Sequence, residues 1–129
     1  MVDKPSFTFS KKERLKTKSD FNTLIKKGAS FTLFPFKIYF YKTQNTSYAP
    51  VLVGISIPKR KFSKAVDRNK LKRLVREAYR LNKHIVYQNL KEQKSSLKIL
   101  FVYLADKPLP FIKIEKKIKL ILQETNNKL

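Results

Sequence analysis

Ala65-Val66-Asp67-Arg68-Asn69-Lys70-Leu71-Lys72-Arg73-Leu74-Val75-Arg76-Glu77-Ala78-Tyr79-Arg80 is the stretch on which the fold turns. At 100° per residue it separates into two helix faces. Leu71, Leu74, Val75, Ala78 and Leu81 recur at the spacing of a buried stripe, which predicts a helix from Ala65 to about Lys83. Asn69, Arg73, Arg76 and Arg80 lie opposite, with Arg68 and Lys72 on the flank. A solvated helix face usually mixes signs, because opposite charges at i,i+4 stabilise mildly and like charges cost a similar amount. This face is a comb of cations with little to neutralise it, and the chemistry that would satisfy it is a polyanion.

Upstream of the helix, Pro58-Lys59-Arg60-Lys61 reads as a basic loop, and Ser63 is the expected N-terminal cap. Pro50 to Ile57 alternates as a strand should: Val51, Val53, Ile55 and Ile57 belong in a core, whereas Leu52, Gly54 and Ser56 suit an open face. Before it, aromatic and β-rich residues interrupted by Pro35 predict strands near 30–34 and 36–42, with Lys37, Tyr39 and Tyr41 alternating against Phe36, Ile38 and Phe40. Gln44-Asn45-Thr46-Ser47 is a polar turn. A short helix is expected from Ser19 as N-cap to Gly28 as stop, with Phe21, Leu24 and Ile25 apolar.

Downstream, Gln88 to Ser96 reads as a polar connector, followed by a strand at Leu97–Leu104 and a turn at Asp106–Pro110. A last helix, about Phe111 to Gln123, places Ile114, Ile118, Ile121 and Leu122 on one side. Residues 1–12 read as an extended arm, and 1–129 as one domain without internal repeats. The predicted order is α-β-β-β-α-β-α, an α+β sandwich.

Composition sharpens the polyanion. Thirty Lys+Arg against nine Asp+Glu give a net charge of +21 over 129 residues, a self-repulsion that opposes folding unless a partner offsets it. A hydrophobic share of 42% is enough for a core, so the chain is not read as disordered. No apolar run approaches a membrane span and the first residues lack an apolar signal core, so export and membrane insertion are not expected. The absence of cysteine excludes disulfides and thiolate chemistry and fits a reducing cytoplasm.

Catalysis by side chains finds little to work with. Asp3, Glu13, Asp20, Asp67, Glu77, Glu92, Asp106, Glu115 and Glu124 are scattered singly, whereas a metal-dependent nuclease gathers carboxylates around divalent ions. His84 has no obvious second base, and two glycines cannot build a phosphate-cradling loop. For isolated lysines a solvated face is the ordinary reading. Arg68, Asn69, Arg73, Arg76 and Arg80 together favour a ligand, since guanidinium forks suit phosphates and base edges and the Asn69 amide can donate and accept at once.

The run Ala65-Val66-x-Arg68-Asn69-x-x-Lys72-Arg73-x-x-Arg76-Glu77, preceded by Val53-Gly54-Ile55-Ser56 and the Pro-Lys-Arg loop, resembles the protein subunit of bacterial ribonuclease P. The similarity extends to Arg14-Leu15, Asp20-Phe21, Gly28 and Phe36-x-x-Tyr39, and so spans most of the chain. The family's Arg-Asn-Arg signature stands here as Arg68-Asn69-Lys70, which keeps the third charge and loses its fork. The basic loop lacks the glycine often found in the family and is one residue longer. Ile25 replaces a second cleft aromatic.

The resemblance implies a small mixed sheet with a left-handed β-α-β crossover, a ribosomal protein S5 domain 2-like fold that runs against the right-handed rule. It implies a protein component of ribonuclease P, which removes the 5′ leader of precursor tRNA. The catalytic centre and its Mg²⁺ would belong to the RNA subunit, with no catalytic residue, metal or cofactor on this chain alone. Lys59, Arg60, Arg68, Asn69, Lys70, Lys72, Arg73, Arg76 and Arg80 would bind the catalytic RNA. Arg14, Phe21, Phe36 and Tyr39 would hold the precursor tRNA leader in a cleft between the first helix and the sheet. The implied partners are these two RNAs, with no membrane and no obligate protein partner, in the cytoplasm. From the residues alone Phe21 fits core and cleft equally, Phe36 alternates with core positions, and Tyr39 shares its face with Lys37. Another structured-RNA binder, a protein-only nuclease and a DNA-binding regulator are the alternatives.

Overall fold

The computed structural model describes residues 14–15, 18–44 and 51–129. The expected arm over 1–12 and the turn residues 45–47 lie outside them. In chain order the elements are α1 (Lys18–Lys27), β1 (Ala29–Leu33), β2 (Phe36–Gln44), β3 (Val51–Ser56), α2 (Ala65–Asn82), α3 (His84–Gln93), β4 (Ser95–Tyr103) and α4 (Phe111–Lys128).

The four strands form one mixed sheet in the order β1-β2-β4-β3. β2 pairs antiparallel with both β1 and β4, while β3 runs parallel to β4. Parallel neighbours need a long crossover, and α2 with α3 supplies it. Outside β3, the Leu15 N–H donates to the Val53 carbonyl at 2.9 Å and Arg14 bridges to Val53, so residues 14–15 extend the sheet at that edge.

Both faces of the sheet are covered. On one, Phe36, Ile38, Val51, Val53, Leu97, Ile99, Phe101 and Tyr103 meet the inner stripes of α2, α3 and α4 in the main core. On the other, Leu100 meets Leu15 and Leu24 of the α1 side in a smaller cluster. β4 is therefore buried on both faces, which is why its sequence is an almost continuous apolar run. The stripe of α2 is as expected at Leu71, Val75 and Ala78, and Tyr79 and Asn82 join it. Asn82 Nδ2 donates to the Ala78 carbonyl at 2.8 Å, which satisfies the buried amide. All four apolar positions predicted for α4 are fully buried.

Three expectations are corrected. Much of the expected polar connector is helical: α3 begins ahead of it at His84 and runs through to Gln93, with Val86 and Leu90 buried one turn apart. Its polar residues support it, with Gln88 donating to Glu92 and Gln93 to Asn89, both at 2.9 Å and i,i+4. Ser19 is not a cap, because α1 begins at Lys18. Ser63 does not cap α2 either: the N-cap is Lys64, without a side-chain hydrogen bond. Gly28 does end α1, and the reason is space. A Cβ there would lie 2.8 Å from the Phe40 carbonyl oxygen, so only glycine lets the helix turn into β1 this close to β2.

Candidate nucleic-acid interface

α2 is held at an angle that brings one flank to the β3 edge and leaves its outer face in solvent. Asn69, Lys70 and Arg73 are exposed, and Lys72, Arg76 and Arg80 are half-buried. Lys59 and Arg60 are exposed in the loop between β3 and α2. The arginines of the comb do different work. Arg68 Nη1 donates to the carbonyls of Phe62 and Ser63 at 2.8 and 3.0 Å, so this guanidinium ties the loop to the helix. Arg80 forks onto Glu77, with Nε–Oε2 at 3.0 Å and Nη2–Oε1 at 2.6 Å. That hydrogen bond raises the Arg80 pKa and lowers that of Glu77. The comb is thus partly neutralised at its C-terminal end, a pairing the sequence reading undervalued.

Arg76 is in the opposite condition. Its pKa is lowered, first by burial and then by the guanidinium groups of Arg14 and Arg73. Like charges gathered and partly desolvated repel, and an anion between them would relieve the cost. Arg76 and Lys72, one turn apart on α2, form one wall of a cleft of about 190 Å³. Arg14 and Leu15 form a second wall, Phe21 of α1 a third, and Val53, Gly54 and Ile55 of β3 the floor. Phe21 rests directly on Gly54, where a Cβ would lie 2.8 Å from ring atom Cε1 and 3.1 Å from Leu100 Cδ1. The small residue in the middle of β3 is what lets the ring approach the sheet this closely.

Along the sheet from Gly54 the row continues through Leu100 to Tyr39 and Ser30. Tyr39 is half-buried, and Lys37 Nζ lies 5.2 Å from its ring centroid. A cation beside an aromatic face is a pairing that suits both the phosphate and the base of a nucleotide. Ile25, one turn beyond Phe21 on α1, is 51% exposed.

Arg14 and Phe21 are therefore brought together, and Tyr39 lies in the row that crosses the sheet from them. Phe36 is not part of this surface. It is fully buried on the opposite face of β2, edge-on to Phe101 at 6.1 Å and to Tyr103 at 5.6 Å between ring centroids. Strand alternation fixes this: a residue three positions from Tyr39 must point the other way. The placement of Phe36 among leader contacts is corrected to core. Sequence reasoning also missed that Lys72 and Arg76 wall the aromatic cleft, and that Gly54 seats Phe21. The i,i+4 spacing on the α2 flank was a signal for the first, but its use required knowing that the flank abuts β3. His84 is exposed, and among the described residues no group of three or more His, Asp or Glu side chains is placed to hold a metal ion. Among them, too, no helix is long and apolar enough to cross a membrane.

Residues 9–126 match the family model described as Ribonuclease P. The ribonuclease P protein component of Porphyromonas gingivalis is 36% identical over 121 residues, spanning 92% of this chain and 87% of that one. The solved RNase P protein of Thermotoga maritima superposes with a TM-score of 0.69 at 27% identity, covering 87% of this chain and 96% of its own. That of Staphylococcus aureus gives 0.68 at 25% identity, covering 88% and 94%.

Proposed function

The chain belongs to the ribonuclease P protein family, and on that premise we propose how its surface serves the particle. It is the protein component of ribonuclease P, and its partner is the ribonuclease P RNA. In our reading the outer face of α2 and the Lys59–Arg60 loop screen phosphates of that RNA and favour its folded, active form. The cleft between α1 and the sheet receives the 5′ leader of precursor tRNA, with phosphates against Arg14, Lys72 and Arg76 and bases against Phe21 and Tyr39. Bond cleavage and the Mg²⁺ it uses belong to the RNA, and the protein works by binding and positioning, in the cytoplasm.

One observation carries the reading: Arg14 and Arg76 share a cleft with the Phe21 ring, and there burial first, then the guanidinium groups of Arg14 and Arg73, lower the Arg76 pKa. Charge for the backbone and an aromatic face for the base are the two requirements of a single-stranded RNA groove. Stacking of this kind is worth ~1–3 kcal/mol per base and tolerates sequence variation, as a leader that differs between precursors requires. The test is reconstitution with the organism's ribonuclease P RNA at low Mg²⁺, with precursor cleavage and the binding of precursor and mature tRNA measured together. The expected result is rescue of cleavage and tighter binding of the precursor alone. Cleavage by the protein without RNA, or equal affinity for both tRNAs, would overturn it.

A further inference from the structure

Phe34 is 63% exposed at the turn between β1 and β2, while the residues around it are drawn inward. Pro35 is buried, Phe36 is fully buried, and Leu33 is half-buried against the main core. The turn is held firmly. Leu33 pairs with Phe36 across the hairpin, and the Pro35 carbonyl accepts the Leu104 N–H at 2.7 Å. Leu104 in turn accepts a hydrogen bond from Lys61 Nζ, which brings the basic loop to the same end of the sheet. The next loop residue, Phe62, lies 5.9 Å from the Tyr103 ring, and its carbonyl is one of the two held by Arg68. A chain of contacts thus joins the turn that carries Phe34 to the N-terminus of α2.

A singly exposed aliphatic residue needs no explanation. Phe34 differs in being a flat aromatic face on a turn whose backbone is held, at the end of the sheet that the basic loop reaches through Lys61. Lys59, Arg60 and Lys61 on the β3–α2 loop and Lys107 on the loop after β4 outnumber Asp106 on those same two stretches, and all five are exposed. An apolar protein partner would have to desolvate those cations. An RNA would use them, with phosphates on the loop and an unpaired base on the ring. Phe34 does not line the cleft at Phe21 and Gly54, and the structure links it instead to the elements read above as meeting the RNA subunit.

We infer that Phe34 stacks on an unpaired base of the ribonuclease P RNA, next to phosphates held by the Lys59–Lys61 loop. The inference deepens the proposed role and rests on it. The chain contains no tryptophan, so Phe34→Trp introduces a single indole reporter that preserves stacking. Full-length wild type, Phe34→Trp, Phe34→Leu and Phe34→Ala are titrated with the RNA subunit across a salt series, with thermal unfolding as the control for folding. Alanine is expected to weaken binding about 5- to 150-fold, the range set by loss of one base stack. Leucine should lose most of the same, because it keeps the apolar area without the aromatic face. The salt slope should be unchanged, since no phosphate contact is removed. Phe34→Trp should bind like wild type, with fluorescence quenched by the RNA subunit alone.

Wild-type affinity in both truncations together with an unquenched indole would overturn the inference and leave the proposed function standing. Quenching only after leader-bearing tRNA is added would overturn it in favour of a leader contact. Failure of the wild type to bind the RNA subunit would overturn the proposed function, and this inference with it.

Discussion

Gly54→Ala tests the seat of Phe21 with a single methyl group. The added Cβ would stand 2.8 and 3.0 Å from Phe21 Cε1 and Cζ, and 3.1 Å from Leu100 Cδ1. Overpacking of this kind costs about 1–3 kcal/mol, while replacing glycine within a strand returns about 0.5–1 kcal/mol of backbone entropy. The net loss should be about 0.5–2 kcal/mol, read as a lower urea midpoint with an unchanged slope. The half-buried ring is the part able to move, so it should swing off the sheet and narrow the cleft. Precursor tRNA should then bind more weakly, by up to about one base stack, ~1–3 kcal/mol, with mature tRNA unaffected. In a Phe21→Ala background the main obstacle is gone. The same methyl should cost little there, leaving a coupling of about 0.5–2 kcal/mol between the two sites, above the few tenths expected of independent positions. Additive stabilities across the four proteins, or unchanged precursor binding by Gly54→Ala, would refute the argument that Gly54 exists to seat the ring.

Arg73→Ala should weaken binding of the RNA subunit and lower the magnitude of its salt slope by about 0.7–0.9, one phosphate contact, in a salt titration. Glu77→Gln removes the partner of Arg80, so at neutral pH it should strengthen RNA binding and steepen that slope, and a flat response would mean that Arg80 is not on the interface. The Glu77 pKa is depressed in the fold, so the small stabilisation from this exposed pair is present above the ordinary carboxylate range and lost as pH falls through the lowered value. Its acid limb of stability against pH should therefore flatten in Glu77→Gln. Tyr39→Ala should raise the precursor Kd without unfolding the protein. Phe36→Ala should instead cost about 3–5 kcal/mol of stability, and urea titrations of the two side by side separate cleft from core.

The fold was legible wherever burial is one-sided. The alternation of Val51, Val53, Ile55 and Ile57 and the stripe of Ile114, Ile118, Ile121 and Leu122 each name a single core face, and the structure buries all of them but Ile55, which is half-buried against the same core. α3 escaped because its two buried residues, Val86 and Leu90, are embedded among glutamines and an asparagine, which look like a loop by polarity but are helix-compatible when paired at i,i+4. Its end could not be read from composition either. Lys94 closes it with φ 53°, a left-handed conformation that usually announces itself as glycine. Phe36 and Tyr39 were grouped by resemblance, yet their separation by an odd number of residues along one strand already required opposite faces, and that parity is the stronger physical statement.

The candidate site was legible as residue types and not as an arrangement. The comb on α2 and the aromatics of α1 and β2 looked like two surfaces, one for assembly and one for substrate. The structure joins them, because the crossover that makes β3 parallel to β4 also lays the Lys72–Arg76 flank of α2 beside the β3 edge, where Arg14 and Phe21 arrive from the other side. Arg76 then has Arg73 of the outer face and Arg14 of the cleft as its electrostatic neighbours at once. Any anion that quiets this crowd from one side changes the field felt on the other. On the proposed reading, RNA held along the α2 face and a phosphate in the cleft should be linked through the same three guanidinium groups, and such linkage is reciprocal. The sign depends on geometry: a phosphate that orders Arg76 toward the cleft frees Arg73 for its own contact, whereas one shared between them makes the two ligands compete. A double-mutant comparison of Arg14→Ala and Arg73→Ala, with RNA-subunit and precursor affinities measured on each protein, distinguishes these, since only a linked site lets each substitution alter the affinity for the ligand it does not touch.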